Sequence, residues 1–140
     1  MKKESGFSLI ELLLVVTIIG VLMAIAVPGL RRAKLNAQAG SAIQSLRTIT
    51  TAEYLYERKY QSYGTLIQLN PEGTIDPSLA VGVKSEYQFT MTVDVANKKF
   101  NCTAAPLSDT TMDYFYVDES AVIRFEKGTA AGPSSPPIPR

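Results

Sequence analysis

The chain has 140 residues, with 14 Lys plus Arg against 13 Asp plus Glu, no histidine and a single cysteine, Cys102. A formal charge of +1 leaves no electrostatic footprint for nucleic acid or an acidic ligand. The composition also removes the commonest metal ligand, the commonest general base and any intrachain disulfide. This length supports one modest domain, from which the apolar N-terminus takes its share.

Phe7 to Leu30 is a run of 24 residues in which Glu11 is the only charged side chain. As a helix it would be about 36 Å long, enough to cross a bilayer. A permanent transmembrane anchor, a secretory signal peptide and a buried core helix compete for this run, and its length disfavours the last. Lys2 and Lys3 ahead of it, and the small-x-small triplet Ala24-Ile25-Ala26, suit a signal peptide cut after Ala26. Glu11 opposes that reading, because a carboxylate inside the hydrophobic region costs about 3 kcal/mol to insert and a signal peptide gains nothing from it. Basic residues do not orient the span, since Lys2 and Lys3 precede it while Arg31, Arg32 and Lys34 follow it.

The stretch Gly6-Phe7-Ser8-Leu9-Ile10-Glu11-Leu12, continuing as LLVVTIIGVLMAIAVP to Pro28, resembles the N-terminus of type IV prepilins and type II secretion pseudopilins. The resemblance implies that Met1 to Gly6 is a leader. A prepilin peptidase would cut between Gly6 and Phe7 on the cytoplasmic side and methylate the new amine of Phe7. Cutting there places an ammonium one helical turn from Glu11, and a buried carboxylate needs such a partner. In the family the equivalent glutamate pairs with the amine of a neighbouring subunit and sets axial register, while apolar surfaces supply most of the attraction. Gly20 and Pro28 weaken a helix interior by about 1 and 3 kcal/mol. Pro28 removes the amide that would bond to Ala24 and is expected to kink the free helix. The resemblance further implies that Gly20 to Pro28 melts on assembly, a plain membrane-helix proline kink being the alternative.

Beyond Leu30 the composition turns polar and alanine-rich, yet Leu35, Ala39, Ala42, Leu46, Ile49, Tyr56 and Tyr60 keep helical spacing. Glu53 interrupts that stripe. Lys34, Gln38, Gln44, Arg47 and Arg58 mark the solvated face, so Phe7 to about Tyr60 reads as one bent helix. Tyr54, Tyr56, Tyr60 and Tyr63 suit packing better than electron conduction, since tyrosine carries apolar area behind a polar tip.

Residues 61–84 read as a loop with turns at Asn70-Pro71-Glu72-Gly73 and Asp76-Pro77. Tyr87, Phe89, Met91, Val93 and Val95 then alternate with polar residues as a half-buried strand. Ala96-Asn97 turns it into a second strand, Lys98 to Ala104, with Phe100 and Cys102 on one side and the thiol read as a buried hydrophobe. Tyr114 to Val117 and Ala121 to Glu126, separated by a Glu119-Ser120 turn, complete a meander of about four strands. The fold class is α+β: a long N-terminal helix on an antiparallel sheet. The expected organisation is a leader at 1–6, a transmembrane or filament-core helix at 7–30 and a head at 31–140. Pro133, Pro136, Pro137 and Pro139 make Gly128 to Arg140 an extended or disordered tail rather than a strand. The paired cysteines of many pilins are missing, so sheet pairing and tail docking must take their place.

No converging catalytic groups or cofactor motif can be identified. Asp109, Asp113, Asp118 and Glu119 form an acidic cluster that would suit Ca2+ in chemistry, although their spacing matches no dedicated loop and turn-forming acids explain it as well. The resemblance implies a type IV pilus subunit whose polymer serves adhesion, motility or DNA uptake, with a type II secretion pseudopilin as the alternative. A single-pass anchored or secreted binding module is a third reading. The implied partners are further copies of the chain, the prepilin peptidase, an inner-membrane assembly platform and the inner membrane itself. The implied location is the inner membrane as precursor, then an extracellular pilus or a periplasmic pseudopilus.

Overall fold

The computed structural model describes residues 6–71, 73–96 and 98–139. Met1 to Ser5 of the expected leader, Glu72 and Asn97 of two expected turns, and Arg140 lie outside the described residues. The chain divides into two compact units, Met1–Asn36 and Ala37–Arg140.

Helix α1 runs from Leu9 to Tyr60, 52 residues, with Pro28 inside it. It stops where Gln61 takes a left-handed φ of 57°, a common way to end a helix. Within the head, α1 buries Ala42, Ser45, Leu46, Ile49, Ala52 and Glu53, positions three and four apart as one helical face requires. The expected stripe holds in its centre and loosens at its ends. Leu35, Ala39 and Tyr56 are half-buried, and Tyr60 is exposed.

The connection after α1 is more ordered than a loop. Two four-residue helices, α2 at Leu66–Leu69 and α3 at Pro77–Ala80, precede a short strand β1 at Val83–Lys84. Thr65 starts α2 by donating its amide to Gln68 at 2.8 Å. Asp76 starts α3 by accepting the Leu79 amide at 3.0 Å and forms a salt bridge with Lys84, a capping use of an acidic side chain. Leu66, Leu69, Ile75, Leu79 and Ala80 are buried, so this segment contributes a layer of core. Helices of one turn are too short to show a period in sequence.

The sheet has five antiparallel strands in the order β1-β2-β3-β4-β5, where β2 is Tyr87–Asp94, β3 Lys99–Pro106, β4 Asp113–Asp118 and β5 Arg124–Lys127. The added strand is β1, joined to β2 through Ser85 and Glu86, both at positive φ (52° and 63°) as a two-residue hairpin turn demands. Gly82 leads into it at φ 83°, where a Cβ would lie 2.8 Å from the Phe89 carbonyl oxygen. The core face of β3 is Phe100, Cys102, Ala104 and Pro106, and that of β4 is Phe115 and Val117. On β2 burial fades along the strand: Tyr87 and Phe89 are buried, Met91 and Val93 half-buried, and Val95 lies exposed beyond the end.

The final strand begins three residues later than the expected Ala121 start, because Ala121 sits at φ 60° and breaks the extended run. The proline-rich tail is extended and docked. Phe125 donates its amide to Pro136 at 2.9 Å, Ile138 donates to the Ile123 carbonyl at 3.0 Å, and the Arg124 guanidinium donates to the Ser135 carbonyl at 3.0 Å. Its prolines lack amides, so only Ile138 can return a hydrogen bond to this edge among residues 136–139. The tail thereby covers the open side of β5.

Cys102 is fully buried, as a small hydrophobe on β3. Cys102→Ser puts a stronger hydrogen-bonding group in that position and is expected to cost about 1–3 kcal/mol. A thermal melt unchanged from wild type would show that the thiol does not pack as described.

Candidate functional site

The first unit presents a helix whose apolar side chains are exposed among the described residues. Leu9, Ile10, Leu12, Leu13, Leu14, Ile18, Leu22, Ile25 and Leu30 are all exposed, and Phe7 is 85% exposed. The helix is long and apolar enough to cross a membrane, and none of its most apolar window is buried. Each such side chain gains about 1.5–3 kcal/mol when taken out of water, so the segment needs lipid or other helices around it.

Glu11 lies in the first turn of α1. One of its carboxylate oxygens accepts the Ser8 amide at 2.9 Å, while the Leu12 amide donates to the Ser8 carbonyl at 3.2 Å. This is the glutamate half of a capping box, a use of Glu11 that the sequence reading missed although its S-x-x-E signature is legible at Ser8-Leu9-Ile10-Glu11. The carboxylate is thus turned back towards the end of the helix at which Phe7 enters, where the helix dipole favours negative charge. Thr17 meets its own needs by donating to the Leu13 carbonyl at 2.7 Å. Gly20 and Pro28 are both within helix, and a Cβ built on Gly20 would meet nothing within 4 Å. No packing reason inside this chain therefore requires glycine there.

The acidic candidates are not brought together. Among the described residues no group of three His, Cys, Asp or Glu side chains could hold a metal ion. Asp109 accepts from the Thr111 amide and hydroxyl, and Asp118 from the amide and hydroxyl of Ser120, so both shape turns at the ends of β4.

The N-terminal sequence finds counterparts among known proteins. Residues 1–27 match the family described as the prokaryotic N-terminal methylation motif. The type IV major pilin protein PilE1 of Neisseria gonorrhoeae is 33% identical over 90 residues, covering 64% of this chain and 40% of that protein. No solved structure matches the chain. The N-terminal motif, the related pilin and the combination of a long helix with an antiparallel sheet make the chain similar to type IV pilins.

The head contains a second unusual carboxylate. Glu53, in the gap of the α1 stripe, is fully buried. One oxygen accepts the Gly64 amide at 3.0 Å, and the other, Oε1, has no hydrogen-bond partner. Burial pushes its pKa up from 4.5 to about 7, the Gly64 amide only partly opposing the effect. Cys102 is pushed up to about 12, first by burial and then by the negative charge of Glu53. The interruption was visible in the sequence, but only the fold shows that the carboxylate points inwards.

A folded-state pKa above the unfolded one means that this group's stabilisation is complete below about pH 4.5 and is lost as pH rises through about 7. The difference is worth about 3 kcal/mol. Denaturant titrations across this range are expected to show wild type losing stability relative to Glu53→Gln as pH rises. Parallel curves for the two proteins would contradict the buried carboxylate.

Proposed function

We propose that this chain is a structural subunit of a type IV pilus filament, made as an inner-membrane precursor. Prepilin peptidase removes the leader between Gly6 and Phe7 and methylates Phe7, and the assembly platform then draws the apolar helix from the membrane into the filament core. The observation that carries this reading is the wholly exposed apolar helix with one carboxylate in its first turn. Lipid satisfies the apolar surface before assembly, and the helices of neighbouring copies satisfy it afterwards.

Glu11 acts in register. Its carboxylate already faces the Ser8 amide, at the end where cleavage after Gly6 creates a cation. In the packed core, the amine of one copy and Glu11 of the next neutralise each other, while a shifted register strands both charges. Gly20 to Pro28 is the segment that unwinds on assembly, since glycine and proline make it the weakest part of the span. The relative's printed description, a type IV major pilin, favours a pilus over the pseudopilus of type II secretion. The chain spans only 40% of that protein, so adhesion, motility and DNA uptake remain alternative uses of the filament.

Gly6→Ala is expected to leave uncleaved precursor in the membrane fraction; a normally sized, N-methylated product in mass spectrometry would refute the leader assignment. Glu11→Ala is expected to insert and be processed while sheared filament yield falls tenfold or more, because removing one member of a buried pair costs about 3–5 kcal/mol. Undiminished fibres would remove the register role.

A further inference from the structure

Where α1 ends, the chain doubles back upon it. Gln61 reverses direction at φ 57°, and the return brings Gly64 so close that a Cβ on it would lie 3.1 Å from the Tyr56 ring. The absence of that Cβ lets the Gly64 amide reach Glu53 at 3.0 Å. Tyr63, the residue before, lays its ring on Phe100 of β3 with 4.8 Å between centroids. Glu53 therefore holds a short flap, residues 61–65, against the helix and over the strand that carries Cys102.

The hold is asymmetric. Gly64 satisfies one carboxyl oxygen, and Oε1 is buried without a partner. A neutral carboxyl in this position leaves one unpaired hydroxyl, whereas an ionised one leaves a share of a full charge away from water, which costs far more. The groups around it cannot relieve that cost. Cys102 from β3 is electrically coupled to Glu53, as is Tyr63 from the flap, and Glu57 from α1 and Glu119 from the β4–β5 turn add negative charge near Tyr63. None of the groups acting on Glu53 is a cation.

We propose that Glu53 is a proton-operated latch: in its neutral form it keeps the 61–65 flap closed over β3, and loss of its proton releases that flap while the sheet stays folded. The flap leads directly into α2, so release changes the surface formed by the connection and uncovers Phe100 and Cys102. The device gives the head two surface states selected by external pH, and it stands independently of how the N-terminal helix assembles.

Hydrogen exchange on the full chain in detergent micelles, followed by mass spectrometry, tests it. After correction for the intrinsic pH dependence of exchange, protection across residues 61–69 of wild type is expected to fall about thirtyfold between about pH 5.5 and about pH 8.5, levelling off above the folded-state titration. Peptides covering β4 are expected to keep their protection. In Glu53→Gln the 61–69 response is expected to be flat, and Glu53→Leu, which completes the apolar stripe, serves as a second proton-blind variant. Labelling of Cys102 by a small alkylating reagent, expressed as the ratio of wild type to Glu53→Gln, is expected to rise over the same range. Equal loss of protection in β4 would mean that the whole head loosens and would overturn the latch. So would a flat 61–69 response in wild type, which needs no variant to interpret.

Discussion

An exposed apolar helix is the constraint on which the rest of this molecule depends. Leu9 to Leu30 exposes apolar side chains that are costly to leave in water, so lipid or packed helices suit the segment. In the assembly proposed above, the carboxylate in its first turn would make the passage from one to the other selective. Glu11 accepts the Ser8 amide, a contact that offsets part of the cost of taking the carboxylate out of water. On the reading proposed above, proteolysis after Gly6 would supply an opposite charge next to it. The proposed assembly would draw its attraction from many nonspecific contacts and its alignment from one specific pair, a division of labour that buried ion pairs perform better than they add strength.

The head solves a different problem, namely how a small sheet without disulfides holds together. The meander pairs only neighbours in sequence, which keeps loop-closure costs low. The second half of α1 and the α2–α3 segment cover its apolar face, and the tail takes the place of a further strand at β5. Extended chain rich in proline suits that place, because it accepts from the edge at Pro136 yet presents few amides to any strand beyond it. Of the two states expected of this tail, extended or disordered, the extended one is found, docked through Phe125, Ile138 and Arg124.

Glu53 shows how a break in a pattern can carry more information than the pattern. An acidic residue on a helix is ordinarily assigned to solvent, and here the flanking positions Ile49 and Ala52 are both buried with it. The stripe told where the carboxylate sits around the helix axis; it could not tell that Gly64 returns to meet it, because that contact closes a reversal whose geometry depends on Gln61 and on the missing Cβ of Gly64. The same limitation hid β1. Its hairpin turns through Ser85 and Glu86 without the glycine or asparagine that marks such turns, and only the register of Lys84 with Tyr87 reveals it.

The amino-acid order by itself determined the elements with long periods: the membrane-length helix with its single charge, the N-terminal methylation motif, the buried alternation around Phe100 and Cys102, and the α+β class. Such signals repeat over many residues, so hydrophobic burial enforces them regardless of context. Tertiary structure alone decided the rest: the one-turn helices α2 and α3, the late start of β5, the use of Asp109 and Asp118 in separate turns, and the inward aim of Glu53. Each of these depends on a few dihedral angles or on a single contact between distant residues, and such choices are made by packing rather than by local preference.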